Sequence, residues 1–253
     1  MRYVRFETKD GPSWGVIDAD RIRELDGPGY AGGRETGREF AMASVSLLAP
    51  VVPGKIICVG LNYKDHIEEF GRTVIPSEPV LFMKPPSAVI GTGDRIVYPA
   101  VSQQVDYEAE LVAVIGCTLR HASPKEALAG VFGYACGNDV TARDLQRKDV
   151  QWTRGKSFDT FSPVGPWIET EADPTDLGIS SFVNGEKRQA SSTAKMIFPV
   201  GELLAFMSGV MTLEPGDVIF TGTPSGVGPV QPGDEVVIEI DSVGRLVNLV
   251  VRE

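Results

Sequence analysis

The chain has 253 residues, a formal net charge of −10 and an apolar content of 42%. This length and composition are typical of a globular protein with one large domain, with or without a small appendage. The acidic charge excludes the basic surface that nucleic acids and anionic membranes bind, so we expect neither partner. No run approaches the roughly 20 apolar residues of a membrane span, and the first residues lack a signal-peptide core, so we expect a cytoplasmic protein.

The first 50 residues predict a small β-rich segment. Residues 1–26 contain two or three short strand patterns with a tight turn at the Lys-Asp-Gly sequence 9–11. Residues 27–50 are rich in glycine and polar residues and predict a connector with little helix. We therefore expect an N-terminal appendage, 1–50, followed by a main domain, 51–253.

The main domain begins with a continuous apolar run, 55–60, that predicts a buried strand. Later strand patterns are separated by Gly and Pro turns, with an Asn-Gly hairpin turn at 184–186 and a Pro-Gly-Asp turn before each of two late strands. Helical patterns occupy 124–137, 140–149 and 200–213, the last being the clearest amphipathic one. The whole predicts a mainly β fold with a few short helices (α+β), as a distorted barrel or rolled sheet. The other strand patterns in the first half cover 78–85, 95–100 and 107–116.

The three cysteines, Cys58, Cys117 and Cys136, lie inside or beside apolar runs and form no Cys-x-x-Cys pair. We expect small buried core residues in a reducing compartment rather than a disulfide or metal ligands. Cysteine and histidine together are too scarce for a structural zinc site.

Acidic residues at short spacings are the strongest chemical signal in the chain. Glu108 and Glu110 alternate along a predicted strand and so project from one face, and Asp139 follows a second strand-like segment. Buried like charges are costly without a cation between them. Three carboxylates favour a hard cation, Mg²⁺, Mn²⁺ or Ca²⁺, with Asp106 on the same face as a fourth candidate ligand. The alternative is a solvated acidic face on an edge strand.

His66 and Glu69 lie three residues apart in a segment, 61–71, where a helix would place them on one face. A carboxylate beside an imidazole raises its basicity and fixes its tautomer, as a general base requires. From these residues alone, a surface histidine on a polar helix is the favoured interpretation. The second histidine, His121, has no such partner and is interpreted as a loop residue.

Basic and polar residues near these segments indicate a candidate substrate pocket. Lys84 and Lys156 stand in apolar or aromatic surroundings, where they either extend to solvent or bind a substrate carboxylate or developing oxyanion. Arg143 and Gln146 follow Asp139 on a helical segment and can reach the same pocket. Arg143 fits a structural salt bridge equally well.

A glycine-rich segment, 221–228, allows backbone amides to approach a ligand, and Thr223 within it adds a hydroxyl group. Its glycine spacing is not a dinucleotide fingerprint, and the Gly-Lys-Ser at 155–157 lacks the upstream glycine of a P-loop. Nucleotide binding is therefore not expected.

Taken together, these segments closely resemble the fumarylacetoacetate hydrolase family. The resemblance covers residues 55–253 and rests on six segments that are highly specific in combination. They are GLNYKDHIEE (60–69), LFMKPPSAVIG (81–91), VDYEAELVAVIG (105–116), GNDVTARDLQ (137–146), QWTRGKSFDTFSPVGPWI (151–168) and GDVIFTGTPSGVG (216–228).

The resemblance implies a fold built from a mixed β-sheet roll, usually in a homodimer. It implies that the three carboxylates bind Mg²⁺ or Mn²⁺, and that His66 and Glu69 form a catalytic dyad on a lid that orders when substrate binds. The residues that match substrate-site positions are Lys156, Arg143, Gln146 and Thr223, with Lys84 at the position of a recurrent lysine.

Members of this family act on 2-oxo acids and their enols, so the resemblance implies an enzyme with a substrate of that class. Our hypothesis is a metal-dependent hydrolase that cleaves a carbon–carbon bond in acylpyruvates such as fumarylpyruvate. The alternatives are an isomerase or decarboxylase of a catabolic 2-hydroxyhepta-2,4-diene-1,7-dioate-type compound, or an oxaloacetate tautomerase or decarboxylase. A non-catalytic metal-binding protein is less consistent with the chain, because every residue expected for catalysis is present.

Overall fold

The computed structural model describes residues 1–69 and 74–253 of a mainly β protein with short helices, as predicted. In the described residues no helix is both long enough and apolar enough to cross a membrane. The α-helices of the described residues are α1 Lys64–Glu69, α2 Pro124–Ala129, α3 Arg143–Lys148, α4 Thr153–Lys156 and α5 Val200–Val210. The strands up to the first helix are β1 Arg2–Thr8, β2 Gly11–Asp18, β3 Arg21–Leu25, β4 Glu35–Ala41, β5 Leu47–Leu48 and β6 Ile56–Gly60. The later strands are β7 Val80–Lys84, β8 Val89–Ile90, β9 Arg95–Tyr98, β10 Val105–Tyr107, β11 Ala109–Ile115, β12 Val131–Asn138, β13 Thr141–Ala142, β14 Ser162–Glu169, β15 Gly178–Val183, β16 Glu186–Ser192, β17 Val218–Phe220, β18 Gly228–Val230, β19 Glu235–Ile240 and β20 Gly244–Arg252.

The strands form one long mixed sheet and two smaller sheets. The long sheet has the order β4-β3-β2-β1-β14-β12-β11-β17-β6-β7, with β5 paired to β1 and β8 paired to β14. Its neighbours are antiparallel except for β17 with β6 and β14 with β8. The smaller sheets have the orders β13-β10-β18 and β16-β15-β19-β20-β9. Strands β19 and β20 pack on β11 and β12, and the largest apolar core lies where these two sheets meet.

The N-terminal strands continue the sheet of the main domain. Strand β1 pairs with β14, with Tyr3 opposite Ile168. Phe6 is fully buried and packs with Val4 and Ile22 in a separate apolar cluster. Residues 1–50 are therefore attached through backbone hydrogen bonds as well as through side-chain packing.

Two turn predictions are confirmed. Asn184 and Gly185 join β15 to β16 with φ angles of 52° and 79°, the left-handed pair that a two-residue hairpin loop requires. In both Pro-Gly-Asp turns the aspartate caps its own turn. A carboxylate oxygen of Asp217 accepts the backbone N–H of Glu214 at 2.7 Å, and Asp234 accepts that of Gln231 at 2.7 Å.

Three local predictions are wrong. The connector predicted over 27–50 contains the strands β4 and β5. The helix predicted over 124–137 ends at Ala129, because Gly130 follows and the next residues are β-branched or aromatic and form β12. Cys117 is exposed, since it lies beyond the end of β11, whereas Cys58 and Cys136 are buried as predicted.

We predict that Phe6→Ala lowers the free energy of unfolding of the whole chain by about 3–5 kcal/mol, because it leaves a cavity between sheet-bound strands. Denaturant unfolding followed by fluorescence and circular dichroism measures the effect. Val52→Ala, at a residue that is 57% exposed, serves as the control and should change stability by less than about 0.5 kcal/mol. Two separate transitions, with only the first one shifted by Phe6→Ala, would show that residues 1–50 unfold independently.

Candidate active site

Most of the predicted site residues meet at a cavity of about 440 Å³. Its wall combines the end of β6, α1, β7, the β10–β11 junction, α3, α4 and the loop that follows β17. The predicted residues that line it are His66, Glu108, Glu110, Asp139, Arg143, Gln146, Lys156 and Thr223. Lining residues that the sequence analysis did not single out include Phe82, Arg147, Asp149 and Trp152.

Three buried carboxylates form the centre of the site. Oxygen atoms of Glu108, Glu110 and Asp139, which we call the acidic triad, lie within 4.8 Å of one another. Register explains their convergence: β11 and β12 pair with Ala109 opposite Asn138, which places Asp139 beside Glu108. The backbone N–H of Asp139 donates to the carbonyl of Glu108 at 2.9 Å. The structure therefore brings the predicted ligand set together.

The local geometry of Glu108 differs from the predicted continuous strand. Glu108 lies in a break between β10 and β11, outside the ladder of either strand. Its backbone N–H donates to the Asn138 side-chain oxygen at 2.9 Å, which stabilises the break. The two carboxylates still converge as their spacing predicts, although the backbone between them is irregular.

Asp106, the fourth candidate ligand, has a different partner. Its carboxylate accepts from Arg143 Nε at 2.8 Å and from the Gln104 side-chain amide at 3.0 Å, and it is not part of the acidic triad. The salt bridge that the sequence allowed for Arg143 is thus present, with Asp106 and Glu108 as its acceptors.

Two lysines bind the acidic triad from different sides. Lys156 Nζ lies 2.8 Å from a Glu108 oxygen and 2.6 Å from an Asp139 oxygen, and it lines the cavity. Lys84 Nζ donates to the other Asp139 oxygen and to the backbone carbonyls of Val140 and Phe161. All three N–H groups of Lys84 are occupied behind the triad, so it orients Asp139, and its predicted contact with substrate does not match this geometry.

The carboxylates of the triad differ in acidity. Burial and the charges of Asp139 and Glu108 raise the pKa of Glu110 well above its ordinary value. Burial also opposes the ionisation of Glu108, but the ammonium of Lys156 and the guanidinium of Arg143 outweigh it and lower the pKa of Glu108. Among the described residues no basic side chain lies within 4.0 Å of Glu110, whose Oε2 accepts the backbone N–H of Gly222 at 2.7 Å.

These residues fit a divalent cation bound through oxygen. Hard cations prefer carboxylate ligands, and the triad supplies three of them in a buried position. A cation placed among them would offset the repulsion that raises the pKa of Glu110. The donor set contains no sulfur or imidazole, so it favours Mg²⁺ or Mn²⁺ over zinc.

The predicted dyad lies on α1 beside the triad. His66 is buried and lines the cavity, and its Nδ1 is 3.4 Å from Glu69 Oε2. The other carboxylate oxygen of Glu69 accepts the backbone N–H of Gly226 at 3.0 Å, and Asp65 accepts from the Ser225 hydroxyl at 3.2 Å. Helix α1 is therefore docked on the glycine-rich loop, and Glu69 is held by one oxygen while the other faces the imidazole.

Burial sets the protonation of His66. It lowers the pKa of the imidazole, with a further lowering from Arg143, while Glu108 and Glu69 act in the opposite direction. The neutral form, which can accept a proton, is therefore the stable form of His66 near neutral pH.

The glycine-rich loop is positioned by a residue that the sequence analysis missed. The Gln189 side-chain amide, which is fully buried, donates to the Thr223 hydroxyl at 2.8 Å and to the Pro224 carbonyl at 2.8 Å. Its oxygen accepts the backbone N–H of Ala109 at 3.0 Å, directly beside Glu108. Gln189 thus links the loop to the triad from β16, and no local pattern around it signals this role.

Comparison with known proteins agrees with this fold. Residues 55–251 match the family model described as fumarylacetoacetate (FAA) hydrolase C-terminal, and residues 1–50 match one described as Rv2993c-like, N-terminal. The crystal structure of a 5-carboxymethyl-2-hydroxymuconate delta-isomerase from Mycobacterium smegmatis has 43% sequence identity and a TM-score of 0.94, and the match covers 100% of both chains.

Two further relatives differ in activity. Oxaloacetate tautomerase FAHD2A, mitochondrial, from Bos taurus is 46% identical over 222 residues, which are 83% of this chain and 70% of the relative. Maleylpyruvate hydrolase from Sphingobium sp. SYK-6, solved with manganese(II) and pyruvate, has 34% identity and a TM-score of 0.82, with coverage of 100% of this chain and 99% of the relative. The chain therefore belongs to the fumarylacetoacetate hydrolase family of enzymes, which includes isomerases, hydrolases and tautomerases among its relatives.

We predict that Glu110→Gln has opposite effects in the absence and presence of metal. Because the pKa of Glu110 is raised in the folded state, its ionisation above pH 4.5 opposes folding, and the neutral amide should stabilise metal-free protein at pH 7. The same change should weaken Mn²⁺ binding at least about tenfold, since one anionic ligand is lost. Thermal unfolding in EDTA and in Mn²⁺, together with calorimetric titration, measures both effects.

Glu235→Gln is the matched control because it makes the same chemical change at an exposed position on β19. It should leave both quantities close to those of the wild type. A Glu110→Gln variant that is less stable in EDTA, or that binds Mn²⁺ as tightly as the wild type, would contradict the assignment.

Proposed function

We propose that this member of the fumarylacetoacetate hydrolase family is a metal-dependent hydrolase that cleaves a carbon–carbon bond in acylpyruvates such as fumarylpyruvate. The observation that carries the proposal is the His66–Glu69 dyad, whose buried imidazole lines the same cavity as the acidic triad. A base and an anionic cluster at one cavity are what water activation beside a bound 2-oxo acid requires.

The acidic triad would hold Mg²⁺ or Mn²⁺ in this proposal. When bound, the cation supplies Lewis acidity towards the keto and carboxylate oxygens of a 2-oxo acid and lowers the energy of its enolate form. Manganese and pyruvate in the related maleylpyruvate hydrolase support this choice of metal and substrate class. Arg143 and Gln146, which also line the cavity, would bind the substrate carboxylate.

The dyad would generate the nucleophile. His66 takes a proton from a water molecule, while Glu69 holds the imidazole in position through Nδ1. The resulting hydroxide attacks the distal acyl carbonyl, and the bond between that carbonyl carbon and the pyruvate methylene breaks. The electron pair of this bond remains with the pyruvate fragment as its enolate, which takes up a proton to give pyruvate, and the acyl fragment leaves as a carboxylic acid.

Lys156 would stabilise the oxyanion that forms at the attacked carbonyl. Glu108 and Asp139 accept two of its three N–H groups, and the described part of the chain supplies no acceptor for the third, which leaves it for a ligand. Burial opposes its charge, but Asp139 and Glu108 outweigh this effect and raise the pKa of Lys156, which keeps the ammonium form. A fixed donor of this kind, buried beside the attacked carbonyl, is effective because it needs little reorganisation during the reaction.

Tautomerisation of oxaloacetate is the second candidate, supported by the 46% identity to the bovine tautomerase. It needs only proton transfer between carbon and oxygen, which the same dyad can perform without water attack. The two reactions are separated by whether a carbon–carbon bond is broken.

A product assay with Mn²⁺-loaded protein tests the proposal, with fumarylpyruvate, acetylpyruvate, oxaloacetate and a 2-hydroxy-dienedioate as substrates. Release of pyruvate and the matching carboxylic acid, abolished by EDTA, is the result expected for the hydrolase. Interconversion of enol and keto oxaloacetate without cleavage of any substrate would replace it with the tautomerase. Carbon dioxide release, or isomerisation of the dienedioate, would place the enzyme with the decarboxylases or isomerases.

We predict that His66→Ala lowers kcat by at least about 100-fold, because it removes the general base. Mn²⁺ affinity should not change, since His66 is outside the acidic triad, and the variant should still fold. His121→Ala, which removes the other histidine of the chain, is the control and should retain activity. Unchanged turnover of the His66→Ala variant would rule out the dyad mechanism.

We also predict an acid limb of kcat/KM with an apparent pKa below 6.5. Burial lowers the pKa of His66, so its basic form persists at lower pH and activity is lost only when the imidazole is protonated. Glu69→Gln removes a charge that favours protonation and should move the limb to still lower pH while reducing the rate. An acid limb above pH 6.5 in the wild type would contradict this assignment.

A further inference from the structure

Most cations on the cavity wall are already neutralised by carboxylates. Arg143 pairs with Asp106 and Glu108, and Lys156 pairs with two members of the acidic triad. These groups contribute little net attraction for a second anionic group on a substrate, because their charges are offset nearby.

Arg147 differs from these residues. It lines the cavity, and among the described residues no carboxylate lies within 4.0 Å of its guanidinium. Its hydrogen bond is to the neutral side-chain oxygen of Gln104, at a long 3.3 Å. The acidic residue on the same wall, Asp149, is occupied by a two-point contact with Arg154 at 2.6 and 2.8 Å. The charge of Arg147 is therefore available to a ligand.

Arg147 lines the outer part of the cavity, where its side chain is exposed. It follows Arg143 by one turn of α3, so the two side chains share a helix face and their backbone positions are separated by about 6 Å along the axis. Arg143 is buried beside the triad, whereas Arg147 is exposed. A group bound by Arg147 would thus be several bonds away from one that is bound at the triad.

The wall also includes an apolar part that suits a carbon chain. Phe82 and Trp152 line the cavity with their rings in an edge-to-face contact, 5.4 Å between centroids. Gly60 allows the indole to pack against the backbone, because a Cβ at this position would lie 2.8 Å from a ring carbon of Trp152. This largely apolar surface, whose one polar group is the indole N–H of Trp152, favours hydrocarbon between two polar ends.

We propose that Arg147 binds a second carboxylate at the far end of the substrate and selects 2-oxo diacids over 2-oxo monoacids. This inference rests on the proposed function in that it takes the triad to be the site of the 2-oxo acid group. The planar guanidinium matches a carboxylate through two parallel N–H donors, and only the weak contact with Gln104 must be given up.

A binding experiment with two non-hydrolysable ligands tests the role of Arg147. In 2-oxoglutarate a 2-oxo acid carries a distal carboxylate, and in 2-oxopentanoate a methyl group replaces it on a chain of the same length. Calorimetric titration of Mn²⁺-loaded protein should give tighter binding of 2-oxoglutarate by about 10-fold or more, as expected for a charge-assisted hydrogen bond. Arg147→Gln should abolish this preference by weakening the diacid alone.

Lys148→Gln is the matched control, because it removes the same charge from the adjacent exposed position of α3, which does not line the cavity. It should retain the preference. Three results would overturn the proposal: equal affinity for the two acids in the wild type, an equal loss for both in Arg147→Gln, or the same loss in Lys148→Gln. Failure of acylpyruvate cleavage in the product assay would contradict the proposed reaction and leave this binding result unaffected.

Discussion

The structure of the site depends on the mutual repulsion of three buried carboxylates. The negative charge of Glu108 is offset by Lys156 and Arg143. The negative charge of Asp139 is offset by Lys156 and Lys84. Among the described residues no cation pairs directly with Glu110, which accepts the backbone N–H of Gly222, and burial and the charges of Asp139 and Glu108 raise its pKa. Such a cluster contributes little to the free energy of folding, because the desolvation penalty of the buried charges is about as large as the attraction within their ion pairs. Its value is chemical, since it places concentrated negative charge next to a neutral imidazole and an ammonium group in one small cavity.

The residues that meet at the candidate site could largely be predicted, because short spacings and familiar segments carry them. Glu108 with Glu110 and His66 with Glu69 are pairs whose distance is set by two or three residues of chain, so the sequence contains the geometry. The features that were not predicted correctly depend on contacts between residues that are far apart in the sequence. The break at Glu108 is stabilised by Asn138, 30 residues away, and Lys84 is directed behind Asp139 by two carbonyls that only the folded chain brings near. Gln189 reaches Thr223 from another sheet for the same reason.

The segment 124–137, predicted as one helix, forms both helix α2 and most of strand β12. Strand β12 replaces its second half, and β12 is the element that carries Asp139 to Glu108 through its register with β11. Gly137 in this strand faces Val112 and Phe220 so closely that a Cβ would lie 2.3 and 2.7 Å from them. Helical propensity over the whole segment was thus overridden by the pairing of two buried strands, an outcome that tertiary packing often imposes on weak local preferences.

The attachment of the first strand has a consequence for how the protein can be divided. Strand β14 lies between β1 and β12, so the N-terminal strands are only two ladders away from the strand that presents Asp139. A fragment that lacks residues 1–50 would lose β1, the strand that places Tyr3 opposite Ile168 of β14. The backbone donors and acceptors along that edge of β14 would then be unpaired. Unpaired edges of this kind recruit other strands, so such a fragment would tend to associate through its sheet. The boundary between the two family matches, 1–50 and 55–251, therefore falls within one continuous hydrogen-bonded sheet.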